Sequence, residues 1–193
     1  MPKIPKDQLD MEMILTLYAV NKAKAGVPTK THFQKMMYLV LKALGNDPRT
    51  GAGYVPHHFG PYSPVVDSWR DILIESGYLV KNTKERITIS PDVQDDVDKI
   101  TFNDRLMEMK ITNIVEFICS LTYEELILYI YTSDVQKNEN MTINSDVKDD
   151  IFSRRRSIAL GMVKSEKVSV AKGAELADMD VESFMRLLSE MTS

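Results

Sequence analysis

The histidines are the residues of this chain whose type could bind a metal ion. His57 and His58 are adjacent, and the third histidine, His32, lies in an earlier segment. Neighbouring side chains point in different directions on most backbones, whereas a zinc site needs three or four suitably spaced ligands. Because no Cys or Glu-x-x-His pattern accompanies the histidines, we expect neither a bound metal nor another cofactor.

A nucleophilic or phosphate-transferring site is not indicated either. The chain has no Gly-rich phosphate loop, nucleophile elbow or metal signature. Its one cysteine, Cys119, lies in an apolar run at 118–121, where a buried core thiol is the expected role. The plentiful Asp and Glu residues occupy positions typical of solvated helix faces. The sequence therefore predicts a protein without enzymatic activity.

Phosphate binding is the chemistry that basic side chains could supply, and Arg154-Arg155-Arg156 is the densest basic cluster. On a helix these side chains fan out about 100° apart, so one or two of them could reach a nucleic-acid backbone. The same arginines could instead pair with Asp149 and Asp150, which lie upstream on that helix. The sequence leaves both alternatives open.

The helices that a DNA-binding fold would place in the major groove have mainly acidic outer faces. The third helix presents Asp67 and Asp71 with Arg70 as its only basic residue, and the last helix begins near Asp180 and Glu182. These carboxylates oppose contacts with base edges and phosphates. The predicted DNA contacts are therefore basic or polar residues of the hairpin, the arginine cluster and the last helix: Lys81, Lys84, Arg86, Arg154, Arg155, Ser183 and Arg186.

Charge is unevenly distributed along the 193 residues, whose net charge is −4. Residues 1–90 have 12 basic and 8 acidic side chains, a balance of +4, and residues 151–193 have 7 and 6, a balance of +1. Residues 91–150 have 5 basic and 14 acidic side chains, a balance of −9. Because this acidic middle would repel nucleic acid, we expect any DNA contact to come from the two ends, in a homodimer.

Hydrophobic periodicity predicts three helices in the front half of the chain. They span residues 8–25, a segment from Thr29 or Thr31 to Leu44, and 64–76, and Thr31 with Gln34 fits a capping box. The turn-rich stretch between the second and third helices is expected to be a loop. After the third helix, a two-stranded hairpin is expected, with strands at 78–81 and 86–90. Three helices followed by a hairpin is the element order of a winged helix.

The middle of the chain is predicted to be helical. A helix is expected to start at Pro91, and further helices are expected at 111–120 and 123–132. Thr122 and Glu125 form a capping box for the last of these.

A polar linker at 135–145 precedes a predicted single helix at 146–164. The remaining segment has helix-turn-helix spacing, in which Ser169 and Asp180 are natural N-caps. Asp178 stands in the turn where glycine is usual, and aspartate tolerates the left-handed conformation better than most residues.

The predicted fold class is mostly α with a small β-hairpin. It consists of a winged-helix-like domain over residues 1–90, a helical extension packed on it over 91–134, and a C-terminal helix-turn-helix over 146–193.

Two stretches resemble prokaryotic protein families. The first comprises FQKMMYLVLKAL at 33–44 and HHFGPYSPVVDSWRDILIESGYL at 57–79. It resembles the Panacea, or SocA-like antitoxin, domain, whose members have a lysine-then-apolar helix, a GPYS- or GPV-type turn and a helix ending in glycine plus an apolar pair. With LTYEELILYIY at 121–131, the resemblance extends over residues 8–131. The matching residues are Gln34, Lys35, Tyr38, Phe59, Gly60, Pro61, Tyr62, Ser63, Gly77 and Tyr78.

The second stretch is RSIALGMVKSEKVSVAKGAELADMDVESFMRLLSEM at 156–191. It resembles the tails of small prokaryotic antitoxin-like proteins, so that the region 151–191 is expected to be their helix-turn-helix. Gly173 and Asp178 depart from the alanine and glycine usual there. Neither family supplies a catalytic residue that could be carried over.

These resemblances imply a prokaryotic, non-catalytic regulator of the antitoxin type. It would bind a toxin-like or neighbour-encoded protein, and operator DNA would be a second ligand. In the GPYS turn, Tyr62 and Ser63 either contact the partner or serve the backbone, with Ser63 as a helix cap, and turn chemistry favours the second role. The residues expected to contact a partner protein are Tyr54, Phe59, Tyr62 and Arg70.

An alternative function is a protein-interaction or adaptor module without DNA binding, which the acidic helix faces favour. No apolar run approaches the ~20 residues of a membrane helix, and the basic N-terminal residues are not followed by an apolar stretch. The expected location is therefore the cytoplasm, without membrane contact.

Overall fold

The computed structural model describes Pro5 and residues 8–133 and 146–190. These residues are mostly helical, with a two-stranded antiparallel sheet, as the sequence predicts. Within them, no helix is both long and apolar enough to span a bilayer. The linker predicted at 135–145 lies outside the described residues.

The chain divides into two compact units. Unit 1 comprises Met1–Val55 and Pro61–Cys119, and unit 2 comprises Pro56–Gly60 and Ser120–Ser193. This division differs from the boundaries predicted after residues 90 and 134. The helix that ends at Ser120 packs with the front half of the chain, and the short segment at 56–60 packs with the back half, which no local pattern could indicate.

The described part of unit 1 contains six helices and the sheet. The helices are α1 (Met11–Lys22), α2 (Lys30–Ala43), α3 (Pro48–Ala52), α4 (Pro64–Glu75), α5 (Gln94–Val97) and α6 (Arg105–Ser120). The strands are β1 (Leu79–Lys81) and β2 (Ile87–Ile89), and a 3-10 turn at Pro91–Val93 precedes α5. Helix α1 packs against α4 and β2. The fully buried side chains in the core of unit 1 include Leu17, Phe33, Met36, Met37, Leu73, Leu79, Ile111 and Ile118.

The hairpin pairs Leu79 with Ile89, and Val27 adds an isolated bridge to Ile87. Gly26 permits this bridge, because its φ is +81° and a Cβ there would lie 2.6 Å from the Thr88 Cγ2 atom. The link between α1 and α2 is thereby held against β2.

Three predicted elements of unit 1 need correction. Helix α2 is capped by Thr29, whose side chain accepts from the His32 amide, and not by a capping box of Thr31 and Gln34. The turn-rich stretch contains the short helix α3, which Asp47 caps and Pro48 begins. Helix α1 starts at Met11 with Asp10 as its cap, so it is shorter than the predicted 8–25.

The residues of unit 2 that the structure describes form five helices: α7 (Tyr123–Thr132), α8 (Asp146–Ser153), α9 (Arg155–Lys164), α10 (Val170–Ala177) and α11 (Val181–Glu190). Helix α7 contacts α8, α9 and α10, while α10 packs against both α9 and α11. The Thr122–Glu125 capping box of α7 is confirmed. The single helix predicted over 146–164 is wrong, because Arg154 interrupts it with φ −107° and ψ 10°.

Helices α9, α10 and α11 approach closely at Gly173. A Cβ on this residue would lie 2.4 Å from Val163 Cγ2 and 3.0 Å from the Phe184 ring. The Ser169 and Asp180 side chains accept from the Lys172 and Ser183 amides, as predicted for N-caps. Asp178 adopts the predicted left-handed conformation, with φ 59°.

Candidate functional site

The turn at residues 61–63 of unit 1 is held by Gln34 on α2. The Gln34 side chain donates from Nε2 to the Ser63 carbonyl at 2.9 Å and accepts at Oε1 from the Ser63 amide at 3.0 Å. Ser63 Oγ donates to the Ala52 carbonyl and accepts from the Val66 amide at 3.1 Å, so Ser63 caps α4. Ser63 therefore serves as a helix cap, which is the role that turn chemistry favours for it over contact with a partner protein.

Asp67 on α4 is the centre of a charged cluster beside this turn. Its carboxylate accepts from Tyr62 Oη at 2.7 Å, Arg70 Nη1 at 2.9 Å and Lys30 Nζ at 2.5 Å. Gln34 Nε2 also donates to it, at 2.8 Å. Burial raises the pKa of Asp67, but these hydrogen bonds and the Arg70 charge outweigh it and hold the pKa below its usual value.

Three of the four predicted partner contacts are engaged within this network. Tyr54 is buried and its hydroxyl donates to the Gln34 carbonyl at 2.8 Å. Arg70 is buried between Asp67 and Asp71. Tyr54 and Arg70, which were predicted to contact a partner, thus have buried side chains with partners inside unit 1. Tyr62 is half-buried, with its hydroxyl on Asp67.

Lys35 is the unexpected member of this region, because its side chain is only 2% exposed. Its Nζ donates to the Pro61 carbonyl at 2.7 Å, and burial lowers the pKa of Lys35 to about 7. Lys35 lies just before an apolar run at 36–41, which is a sequence signal that this part of the helix is buried. No linear pattern identifies Pro61 as its partner.

In unit 2, Tyr131 on α7 holds the 56–60 segment. Its hydroxyl donates to the His58 carbonyl at 2.8 Å and accepts from the Gly60 amide at 3.2 Å. The Phe59 ring consequently lies 6.4 Å from the Tyr123 ring and 5.8 Å from the His57 ring. Phe59 and Tyr123 are both partly exposed, and we name these two with His57 the aromatic patch.

The histidines do not assemble with other ligands. Among the described residues, no group of three or more His, Cys, Asp or Glu side chains could hold a metal ion. Burial raises the pKa of the Cys119 thiol to about 12, which opposes formation of a nucleophilic thiolate.

The arginine cluster is paired with carboxylates of its own unit. Arg154 contacts Glu124 at 3.0 Å and Asp150 at 2.7 Å, and these two partners raise its pKa. Arg155 lies 3.1 Å from Asp178 and donates from Nε to the Leu176 carbonyl at 2.7 Å. The arginine cluster was expected either to contact phosphates or to pair with nearby carboxylates. The structure shows Arg154 paired with Asp150, and also with Glu124.

The other predicted DNA contacts are dispersed between the units. Lys81 pairs with Glu85 at 2.8 Å, and the neighbouring Lys84 is exposed. Arg86 is half-buried. On α11, Arg186 pairs with Glu182 at 2.5 Å, and the Ser183 amide is bound by the Asp180 cap. A phosphate would have to compete with a nearby carboxylate at most of these positions.

The outer face of α11 is apolar as well as charged. Val181 is 46% exposed and Met185 is 56% exposed, one helical turn apart, whereas Phe184 points inward and is fully buried. The exposed α11 face formed by Val181 and Met185 was not predicted from the sequence. No protein-family model, curated protein or solved structure matches this chain.

Proposed function

We propose that this chain is a non-catalytic regulator of the antitoxin type that acts by binding a partner protein encoded beside it. The observation that carries the proposal is the exposed apolar surface of α11. Val181 and Met185 stand on the helix that a helix-turn-helix protein would present to DNA, where phosphate contacts require basic or polar groups. Apolar side chains there suit the dehydrated centre of a protein interface.

The aromatic patch supports the same proposal from another part of unit 2. Phe59 and Tyr123 offer partly exposed rings in fixed positions, since Tyr131 anchors the segment that carries Phe59. Aromatic residues held in this way contribute much of the binding energy in protein interfaces. Phe59 is the predicted partner contact that this geometry favours.

The antitoxin class of the regulator is supported by the two sequence resemblances. The GPYS turn, the Gln34–Lys35 pair and the C-terminal helix pair are the features on which they depend. The engagement of Gln34 with Ser63 and of Lys35 with Pro61 supplies a physical reason for these residue types to occur together.

Operator DNA is a second candidate ligand. The observation that favours it is the arrangement of α10 and α11, which join through a short turn with Asp178 in the left-handed conformation. This is the spacing of a helix-turn-helix. The Lys84 side chain on the hairpin is exposed and could reach a phosphate. In unit 1, α1, α2 and α4 precede the hairpin, with the short α3 between α2 and α4, and this order supports the proposed winged helix.

Copurification with the neighbour-encoded protein tests the main proposal. The chain and its tagged neighbour are coexpressed, and the complex is quantified by size exclusion for the parent, Met185→Glu and Phe59→Ser. Either substitution is expected to reduce the complex at least about tenfold. Met109→Glu is the matched control, because Met109 is equally exposed but lies on α6 of unit 1. No complex with the parent chain, or an equal complex with every variant, contradicts the proposal.

DNA binding is tested separately with the fragment upstream of the gene. Specific binding should weaken steeply between about 50 and 200 mM salt. It should also weaken with Lys84→Gln and Arg186→Gln. If the fragment does not bind at the lower salt concentration, DNA is excluded as a ligand and the protein-interaction function remains.

A further inference from the structure

A cleft of about 590 Å³ opens in unit 1 between α1, the C-terminal end of α2, α3 and the start of α6. Its volume is that of a small-molecule site. The aromatic side chains that line it are Trp69 and Phe102, and Leu44, Met11 and Met107 add apolar surface. Met11 is 65% exposed, so the cleft continues to an apolar edge that no described residue covers.

The charged side chains among the described lining residues of the cleft have one sign. Among the described residues that line it, Glu12 and Asp47 are the ionised side chains, and none is Lys, Arg or His. The C-terminal turn of α2, at Leu41 and Leu44, also lines the cleft. The C-terminal end of this 14-residue helix carries partial negative charge, whereas the first turns of α1 and α6, which contribute Glu12 and Met107, carry partial positive charge. The two carboxylates therefore decide the sign of the cleft among its described residues.

We infer that this cleft binds a small amphipathic cation, with an apolar aromatic or alkyl body and one ammonium group. The body would lie against the rings of Trp69 and Phe102, which can also stabilise a cation over their faces. The ammonium group would lie towards Glu12 and Asp47 at the edge, where it keeps part of its hydration. An anion of the same size would meet the two carboxylates, and none of the described lining residues is basic.

This inference goes beyond the proposed function, because it concerns a different unit from the aromatic patch and α11. Partner binding measured through Met185 or Phe59 and ligand binding in the cleft can therefore succeed or fail separately.

Trp69 provides the readout, since it is the only tryptophan of the chain and lines the cleft. Its emission is titrated with three probes of equal body: phenylpropylammonium, phenylpropanol and phenylpropionate. We expect saturable binding of the ammonium probe with a Kd of about 1 mM, given the size of the probe. The alcohol should bind about fivefold or more weakly, and the carboxylate should not bind.

Substitution of the carboxylates assigns the binding to the cleft. Glu12→Gln and Asp47→Asn should each weaken binding of the ammonium probe by about fivefold. Asparagine at residue 47 preserves the cap that Asp47 supplies to α3. The matched control is Glu75→Gln, which removes the same charge from an exposed position on α4 outside the cleft. Thr50→Phe, at an exposed lining position, should block the probe sterically.

Three outcomes overturn the inference. One is no saturable change in Trp69 emission with the ammonium probe up to about ten times the expected Kd. Another is equal affinity for the ammonium, alcohol and carboxylate probes. The third is an affinity for the ammonium probe that is the same in the double variant Glu12→Gln/Asp47→Asn as in the control Glu75→Gln.

Discussion

Gln34 on α2 and Ser63 at the start of α4 form a reciprocal hydrogen-bonded pair. The Gln34 side-chain amide both donates to and accepts from the Ser63 main chain, at 2.9 and 3.0 Å. A primary amide has an N–H donor and a carbonyl acceptor, as a peptide group does. The Gln34 side chain therefore satisfies both main-chain groups of Ser63, as a neighbouring β-strand would. It thereby fixes the residue that caps α4.

Gln34→Glu should destabilise the protein strongly. The carboxylate cannot donate to the Ser63 carbonyl, and it places a second negative charge beside Asp67, which now accepts from Gln34 at 2.8 Å. We expect a loss of about 3 kcal/mol or more in the free energy of unfolding, measured by urea denaturation at pH 7. Gln34→Met, which loses the hydrogen bonds without adding charge, should cost less. A Glu variant as stable as the Met variant would show that the Asp67 charge is not felt at residue 34.

The buried Lys35 should make stability rise with pH above 7. Its pKa is about 7 in the folded chain and near 10.5 when unfolded. Between these values the unfolded chain holds the extra proton, so lowering the pH favours unfolding until both states are protonated below about pH 7. Urea denaturation at pH 7.0–8.5 should therefore show that the free energy of unfolding rises by about 1 kcal/mol per pH unit.

The matched variant is Lys35→Met, which removes the titrating amine and keeps an unbranched side chain. It should be more stable than the parent near pH 7 and should lack the rise in stability. The chosen window avoids Tyr54 and Cys119, whose raised pKa values act at higher pH. A parallel rise in both proteins would mean that another group is responsible.

Gly173→Ala should destabilise unit 2, although alanine is the better helix former. Helix propensity alone predicts a gain of about 1 kcal/mol, whereas the new Cβ would overlap Val163 and press on the Phe184 ring. We expect a net loss of about 1–3 kcal/mol by thermal or urea denaturation. Val163→Ala in the same chain should recover part of it.

Gly161→Ala is the control for Gly173→Ala. Gly161 lies on α9, and a Cβ there would meet nothing within 4 Å. This substitution should stabilise the chain by up to about 1 kcal/mol. If both alanine variants were stabilised equally, the close approach of α9, α10 and α11 at Gly173 would be disproved.

Glu166→Gly should stabilise the end of α9. Glu166 has φ 58°, and the following residue, Lys167, donates its amide back to the Met162 carbonyl at 2.9 Å. This is the helix ending in which glycine is preferred, because glycine has no Cβ to strain the left-handed conformation. A gain of about 0.5–1 kcal/mol is expected in the free energy of unfolding. Glu166→Ala, which keeps a Cβ, should give no such gain.

Local chemistry was enough to predict many helix starts. Ser63 followed by Pro64, the Thr122–Glu125 box and the Ser169 cap each act within a few residues, so their sequence signal is complete. The N-cap of α2 is Thr29 and not Thr31, and this depends on a contact distant in sequence. The Gln34 side chain binds Ser63 and is therefore not free to complete a capping box with Thr31.

The sequence by itself therefore determined the mostly helical class, the hairpin and several of the caps, since periodicity and capping depend on neighbours along the chain. Only the tertiary structure decided that Lys35 is buried against Pro61, that Arg154 is paired with Glu124, and that Tyr131 holds the 56–60 segment. These contacts join residues far apart in sequence, and their energies depend on burial and distance, which no linear pattern specifies.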